Sequence, residues 1–564
     1  MKLRHTMLAL LAATAIAGCQ PAAPKADFNT FTQNTIDGWL KQDPYFAVYE
    51  GAHQFDGKWA DWTPSGLKAR GDFLRGVIAQ AKGYTGLSKE DTFTRDYMVK
   101  VAEGQLFWLE EADQPHKNPA WYVGAFDPNV YLTREYADRP TRLKALLAFL
   151  QGVPAAAQQV QTNLKGPLPK SFIQFGASAF GGYAEFYKGD MLGAFADVKD
   201  PALQQQVADA AIKASAAVDG LTVWLKGQDA TATQDFVLGE ARFSRMLLAT
   251  EGVDLPLDVL EQAGQADLKR NQDALTAECA KFAPGQSVQD CMVKLNADRP
   301  DGGAVAEATR QIPELTAFVK SQNLVTIPGT EQALVRQSPP YNAQNGAYID
   351  PPGPFEKGIP SIYYIAAPDP SWPKEKQLAY IPGKKDLLFT SVHEVMPGHF
   401  LQFLHANRSP SMFGRLFVGY AFAEGWAHYS EEMMWEAGYG AGDPETHIGQ
   451  LSNALLRDCR FLSAIGMHAR GMTQEQSKAM FMTQCFQDEG TAEQQAARGT
   501  YDPAYLNYTL GKLMIRKLRD DWTSSRGGRA GWKAFHDTFL SYGGPPIPLV
   551  RQSMMGEKEA KAAF

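Results

Sequence analysis

The chain has 564 residues, 45% of them hydrophobic and 21% charged, the composition of a protein that buries a large core. That length allows two or more ordinary domains, or one large helical body with a cleft. Lys and Arg number 55 against 62 Asp and Glu, for a net charge of -7; with no clustered basic excess, the reading is of no nucleic-acid partner.

In chain order, Met1-Lys2-Leu3-Arg4-His5 is a short basic start and Met7 to Ala17 an apolar run. The run is too brief to span a bilayer and has the length of a signal-peptide core. It closes on Ile16-Ala17-Gly18-Cys19, which resembles the lipobox of bacterial lipoproteins. The resemblance implies that residues 1–18 are a signal peptide and that Cys19 carries the lipid. With Gln20 rather than Asp after the cysteine, it implies an outer-membrane anchor facing the periplasm. The other reading is an ordinary signal peptide cut at small residues, with Cys19 incidental. Residues 19–26, with Pro21 and Pro24, read as a tether. Export favours pairing of the other four cysteines. Cys279 and Cys291 could close a small loop, and Cys459 and Cys485 could clip two helices; neither pair has a C-x-x-C spacing.

Residues 27–350 read as an N-terminal helical region and 351–564 as a second helical region, with 27–564 one continuous domain. In the first, apolar residues recur at helical spacing, as in Leu143, Leu147 and Leu150, or Phe243, Leu247 and Leu248. Pro and Gly clusters at 64–66, 166–169 and 176–182 punctuate it. Gly176-Ala177-Ser178-Ala179-Phe180-Gly181 misses the G-x-S-x-G spacing by one residue and reads as a loop. Pro328 to Pro354 looks like a long connection, and Ser361 to Ile365 is the best strand candidate, in a small sheet near 359–382. Asp386 is a candidate cap for a helix through Leu387, Val392 and Met396, and Leu416 to Glu436 forms the next. Asp443-Pro444 pairs an N-cap with a proline at the first helical position. Thr473-x-x-Gln476 and Thr491-x-x-Gln494 match capping boxes, and Asp502-Pro503 opens the last long helix. The fold class is mainly α, a multi-helix body with a cleft between two helical halves.

Six of the ten histidines fall between His393 and His468. Their centre is His393-Glu394-x-x-Pro397-Gly398-His399. Zinc takes imidazole nitrogens and carboxylate oxygens, and a hydrolytic site leaves one position for water. An adjacent Glu394 could act as base while His393 binds. Two histidines six apart on an undistorted helix lie roughly 120° apart in rotation and about 9 Å along the axis, too far to share an ion. Pro397 and Gly398 break the helix, however, and the break can swing His399 back. The alternative is a capped helix end with a surface histidine. Downstream, Glu424, His428 and Glu431 share one face of a helix with strongly aromatic surroundings. That stripe needs metal, partners or water to offset its desolvation. Two further stripes, Arg460/Ala464/His468 and Tyr508/Lys512/Arg516, carry a phenol, an imidazole and cations. Such groups stabilise an oxyanion and grip a carboxylate end, but each stripe could equally be a helix surface.

Together His-Glu-x-x-Pro-Gly-His-x-x-Gln (His393 to Gln402) and Glu-Gly-Trp-Ala-x-Tyr-x-Glu (Glu424 to Glu431) resemble the bacterial domain-of-unknown-function family 885. Arg460, Gly466-x-His468, Arg498, Tyr508-x-x-Gly511 and Asp43-Pro44 through Gly51 to Asp56 extend the resemblance over nearly all of the mature chain. The family is similar to zinc peptidases such as angiotensin-converting enzyme and the oligopeptidases. The resemblance implies a largely helical fold with one zinc ion held by His393, His399 and Glu424. It also implies Glu394 as base, and His468 and Tyr508 as oxyanion or substrate contacts. Arg460, Lys512, His428 and Tyr364 are candidate substrate contacts, and His428 alternatively a fourth ligand. Ala464 stands where the family usually has Asp, leaving His468 without that orienting carboxylate, and Pro503-Ala504-Tyr505 replaces Pro-Gly-Gln.

The function these features imply is hydrolysis of short peptides in the bacterial envelope. In this reading the strand near Ile362 pairs with the peptide backbone. A non-catalytic peptide- or partner-binding lipoprotein and a metal-dependent amidase on cell-wall peptides are the alternatives.

Overall fold

Several helices of this protein start at an aspartate whose side chain accepts a backbone N–H of the first turn. The computed structural model describes residues 27–339, 342 and 346–564; the expected signal peptide, Cys19 and the tether lie outside these residues. Asp138 accepts from Thr141 N and starts α1 (Arg139–Asn163). After α2 (Lys170–Lys188), Asp200 accepts from Leu203 N and starts α3 (Pro201–Gly227). The glycines at 176–182 do not break the chain but lie inside α2. There a Cβ on Gly176 would come within 2.9 Å of Pro119 and 3.1 Å of Leu225, so its bareness lets α2 settle against α3.

Helix α4 (Leu257–Phe282) leads through further helices to a three-stranded sheet. The strands are β1 (Ala333–Gln337), β2 (Ala347–Asp350) and β3 (Ser361–Ile365), in the order β1-β3-β2. The Pro- and Gly-rich stretch read as a connection thus supplies two strands. The sheet begins well before residue 359. Strand β3 runs parallel to β1 and antiparallel to β2. Both of its edges are taken, so it has no free edge for a peptide.

Then come α5 (Lys384–Glu394), α6 (His399–Ala406), α7 (Tyr420–Glu436), α8 (Pro444–Ala469), α9 (Glu489–Tyr501) and α10 (Asn507–Ser524). Asp443 caps α8, and the Thr473–Gln476 box forms on the helix that follows it. Thr491 is not a cap. Asp488 accepts from Gly490 N and Thr491 N and starts α9 earlier. Asp386 lies within the first turn of α5, which begins after Gly383. Leu416 ends a separate short helix, and two helices follow α10. Asp502 opens a short 3-10 turn ahead of α10.

Two hydrophobic cores result. One gathers the N-terminal helices around Leu150, Phe180, Tyr187 and Leu221; the other surrounds Val392, Trp426, Phe461, Ile465 and Leu510. They interlock, since Phe413 and Phe417 pack on Trp39 in the first core while Phe107 and Phe243 belong to the second. Buried Arg134 adds a polar tie, pairing with Asp350 at 2.6 Å and Glu356 at 2.8 Å. Cys279 is bonded to Cys291 and Cys459 to Cys485. No helix among the described residues is long and apolar enough to cross a membrane.

Candidate metal centre

Helix α5 stops at Glu394, and α6 begins five residues later at His399. Between them the Met396–Pro397 peptide is cis and Gly398 N donates to Val392 O at 2.9 Å. A Cβ on Gly398 would sit 1.8 Å from the His393 carbonyl oxygen, so only glycine fits this turn. Helix α7 fixes the break from the far side: Trp426 Nε1 donates to Pro397 O at 2.9 Å. The turn brings the His393 and His399 rings to 4.8 Å between centroids, at 90° to each other.

Glu424, near the start of α7, completes the group. Its Oε2 is 3.1 Å from Nε2 of His393 and 3.1 Å from Nε2 of His399. Donor atoms of the three residues all lie within 4.8 Å of one another. Ligands at ordinary zinc bond lengths in a tetrahedron are about 3.3 Å apart, so this donor set fits one ion. Behind His393, the fully buried Glu431 lies 2.6 Å from Nδ1. A carboxylate there makes Nδ1 the N–H donor and leaves the Nε2 lone pair facing Glu424 and His399. Glu431 is itself 3.6 Å from Arg457 and 3.3 Å from His428 Nδ1.

The electrostatics favour positive charge at this point. Burial and Arg457 both disfavour a charged His393, yet Glu424 and Glu431 outweigh them and raise it to about 9. Burial alone would raise Glu424, but His399 and His393 hold it well below the usual carboxylate range. At Glu394 burial outweighs the same two histidines and pushes the carboxyl up.

His393 and Glu394 line a cavity of about 690 Å³ whose walls come from both halves of the chain. Tyr45, Gly124, Phe175 and Ser178 come from the N-terminal half, and Arg457, Arg460, Arg498 and Tyr508 from the C-terminal half. Tyr508 reaches it because α7 and α10 touch through glycines. A Cβ on Gly425 would lie 2.5 Å from Gly511 Cα, and one on Gly511 2.0 Å from Ala421 O. The Tyr508 ring stacks 5.9 Å from His393, and its hydroxyl is 3.5 Å from Arg498 Nη2.

The model of the family described as "Bacterial protein of unknown function (DUF885)" matches residues 44–554. The chain belongs to this family. Two solved structures share its fold. A protein described as a lipoprotein of unknown function from Shewanella oneidensis is 25% identical, with TM-score 0.76 over 94% of this chain and 100% of that one. One described as a lipoprotein from Colwellia psychrerythraea is 18% identical, with TM-score 0.80 over 94% and 98%. No curated protein matches the chain.

Within this family member, four expected contacts do not reach the cavity. His468 is fully buried beside Phe243; its Nδ1 accepts from Leu238 N and its Nε2 donates to Gly499 O at 2.7 Å. Those backbone groups do the orienting expected of a carboxylate at position 464. Lys512 is buried against Asp267 and Glu432, on the face of α10 turned towards α4. His428 faces Glu431 rather than the donor set, and burial pushes it down to about 4. Tyr364 is buried in the middle strand, stacked on Tyr348. Arg460 does line the cavity, 4.5 Å over the Tyr508 ring. Arg457, three residues before Arg460 on α8, was missed in sequence although that spacing puts both on one face. Arg498 matched the family without a role. It pairs with Asp502 at 3.0 Å and donates to the Tyr420 hydroxyl at 2.8 Å.

Proposed function

We propose that this protein is a zinc-dependent peptidase of the bacterial envelope acting on short peptides, with His393, His399 and Glu424 holding the ion. The observation that supports it is the approach of two imidazole Nε2 atoms to one Glu424 oxygen, beside the buried carboxyl of Glu394 in the cavity wall. Zinc held there supplies a Lewis acid for the scissile carbonyl and for water. Glu394 takes the proton of the attacking water and returns it to the leaving amine, a role its raised affinity for protons suits. Tyr508, kept in place by stacking and by Arg498, donates to the carbonyl oxygen as charge develops there. Glu431 holds His393 by Nδ1. Acylation of Cys19 would fix the chain to a membrane, in keeping with the description of both structural relatives as lipoproteins.

Metal analysis of the purified soluble domain, with a peptide-library digest of wild type and Glu394→Gln, tests this. The expected result is one zinc per chain in both proteins and cleavage in wild type alone. A metal-free protein with no cleavage overturns it in favour of a binding lipoprotein. Cleavage confined to peptidoglycan fragments overturns it in favour of a cell-wall amidase.

A further inference from the structure

The cavity wall holds a cation with no carboxylate partner among the described residues. Three guanidiniums line the wall next to His393, from Arg457, Arg460 and Arg498. Arg498 has Asp502 and Arg457 has Glu431. Arg460 is only 7% exposed, and among the described residues no carboxylate lies within 4.0 Å of it. Its Nε donates to Gln495 Oε1 at 2.7 Å, which aims the fork, and its Cζ sits 4.5 Å over the Tyr508 ring. A buried guanidinium beside two others is costly unless an anion is supplied. Burial, Arg498 and Arg457 all hold its pKa below the usual arginine value, although Tyr508 opposes them.

We propose that Arg460 is the anchor for the C-terminal carboxylate of the substrate, so that cleavage is measured from the peptide's C-terminal end. This rests on the peptidase reading and deepens it. A planar fork in the cavity wall suits a bidentate carboxylate. The Tyr508 ring touches both Arg460, at 4.5 Å, and the His393 ring, at 5.9 Å, so anchor and imidazole are at most about 10 Å apart, or roughly three extended residues. The enzyme therefore releases single residues, dipeptides or tripeptides from the C-terminus.

The test uses zinc-loaded full-length mature protein and one peptide series: free acid, C-terminal amide, and amide with a penultimate glutamate. Products are mapped by mass spectrometry. Free acids are cut within three residues of the C-terminus, and kcat/KM falls at least about 30-fold for the amide. In Arg460→Gln and Arg460→Lys that preference shrinks to a few-fold, chiefly through a higher KM on free acids. Binding of an uncut dipeptide acid and its amide to Glu394→Gln, by calorimetry, differs by the same factor and needs no turnover. Equal cleavage and equal binding of acid and amide overturn the proposal. Full rescue of the amide by the glutamate also overturns it, assigning Arg460 to an acidic side chain. No cleavage of any peptide refutes the peptidase reading itself, and the calorimetric preference still decides whether Arg460 takes a C-terminal carboxylate.

Discussion

Replacing Glu431 by Gln removes one charge and almost no volume from behind the proposed metal site. The side chain is fully buried, 2.6 Å from His393 Nδ1 and 3.6 Å from Arg457. A glutamine oxygen can still accept the Nδ1 proton, so the ring stays in place while its Nε2 becomes a poorer donor. Carboxylates in this position behind a histidine ligand are worth roughly 10- to 100-fold in metal affinity, or about 1.4 to 2.7 kcal/mol. Competition for zinc against a chromophoric chelator near neutral pH measures the change, with circular dichroism confirming the fold. Glu432→Gln is the control. Its carboxylate pairs with Arg270 and Lys512, away from the donor set, and zinc affinity should stay within about twofold. If Glu431→Gln also binds zinc as wild type does, Glu431 does not tune His393 and the assignment of Nε2 as the donor loses its support.

Gly398→Ala should lower unfolding free energy by roughly 3 kcal/mol or more, because the new methyl meets the His393 carbonyl. Gly220→Ala, on α3 with open space around it, should instead add about 0.5 to 1 kcal/mol; equal effects in urea unfolding would count against the geometry. Glu251 is buried, and although Ala421 and Asn507 hydrogen-bond it, burial raises its carboxyl to about 7. The folded state therefore keeps a proton that the unfolded chain releases near pH 4.3, and stability falls as pH rises from about 4.3 to 7, by roughly 4 kcal/mol in all. Glu251→Gln should flatten melting temperature between pH 5 and 8, and parallel curves for variant and wild type would show the group is not responsible. The Cys459–Cys485 bond closes a separation of 26 residues, worth about 3 kcal/mol by chain entropy. The Cys459→Ser/Cys485→Ser pair should unfold at correspondingly lower denaturant, and an unchanged midpoint would rule out that contribution.

The parts of this fold that are legible in sequence are the local ones. Asp443 and the Thr473 box announce their helices because cap and amide lie within three residues of each other. Pro397 and Gly398 announce a break for the same reason. Thr491 misled because Asp488, three residues earlier, captures the amides first. The approach of His393, His399 and Glu424 could be anticipated because the break and the α7 stripe are both written in short motifs. Which way a stripe faces is not local. Lys512 turned inward because Asp267, 245 residues away, is there to receive it, and His468 because Leu238 and Gly499 offer it backbone groups. Strands β1 and β2 were hidden because a short edge strand in Pro- and Gly-rich chain has no alternation to read.

The enclosure of the cavity by two interlocked cores has a consequence for the proteins around it. A volume of about 690 Å³ is that of a pocket for one drug-sized molecule, a few amino acids at most. Both halves of the chain wall that chamber, Tyr45 and Phe175 from one and Arg460 and Tyr508 from the other. On the proposed function, a chamber of that size would take loose peptide fragments and leave compact folded neighbours uncut.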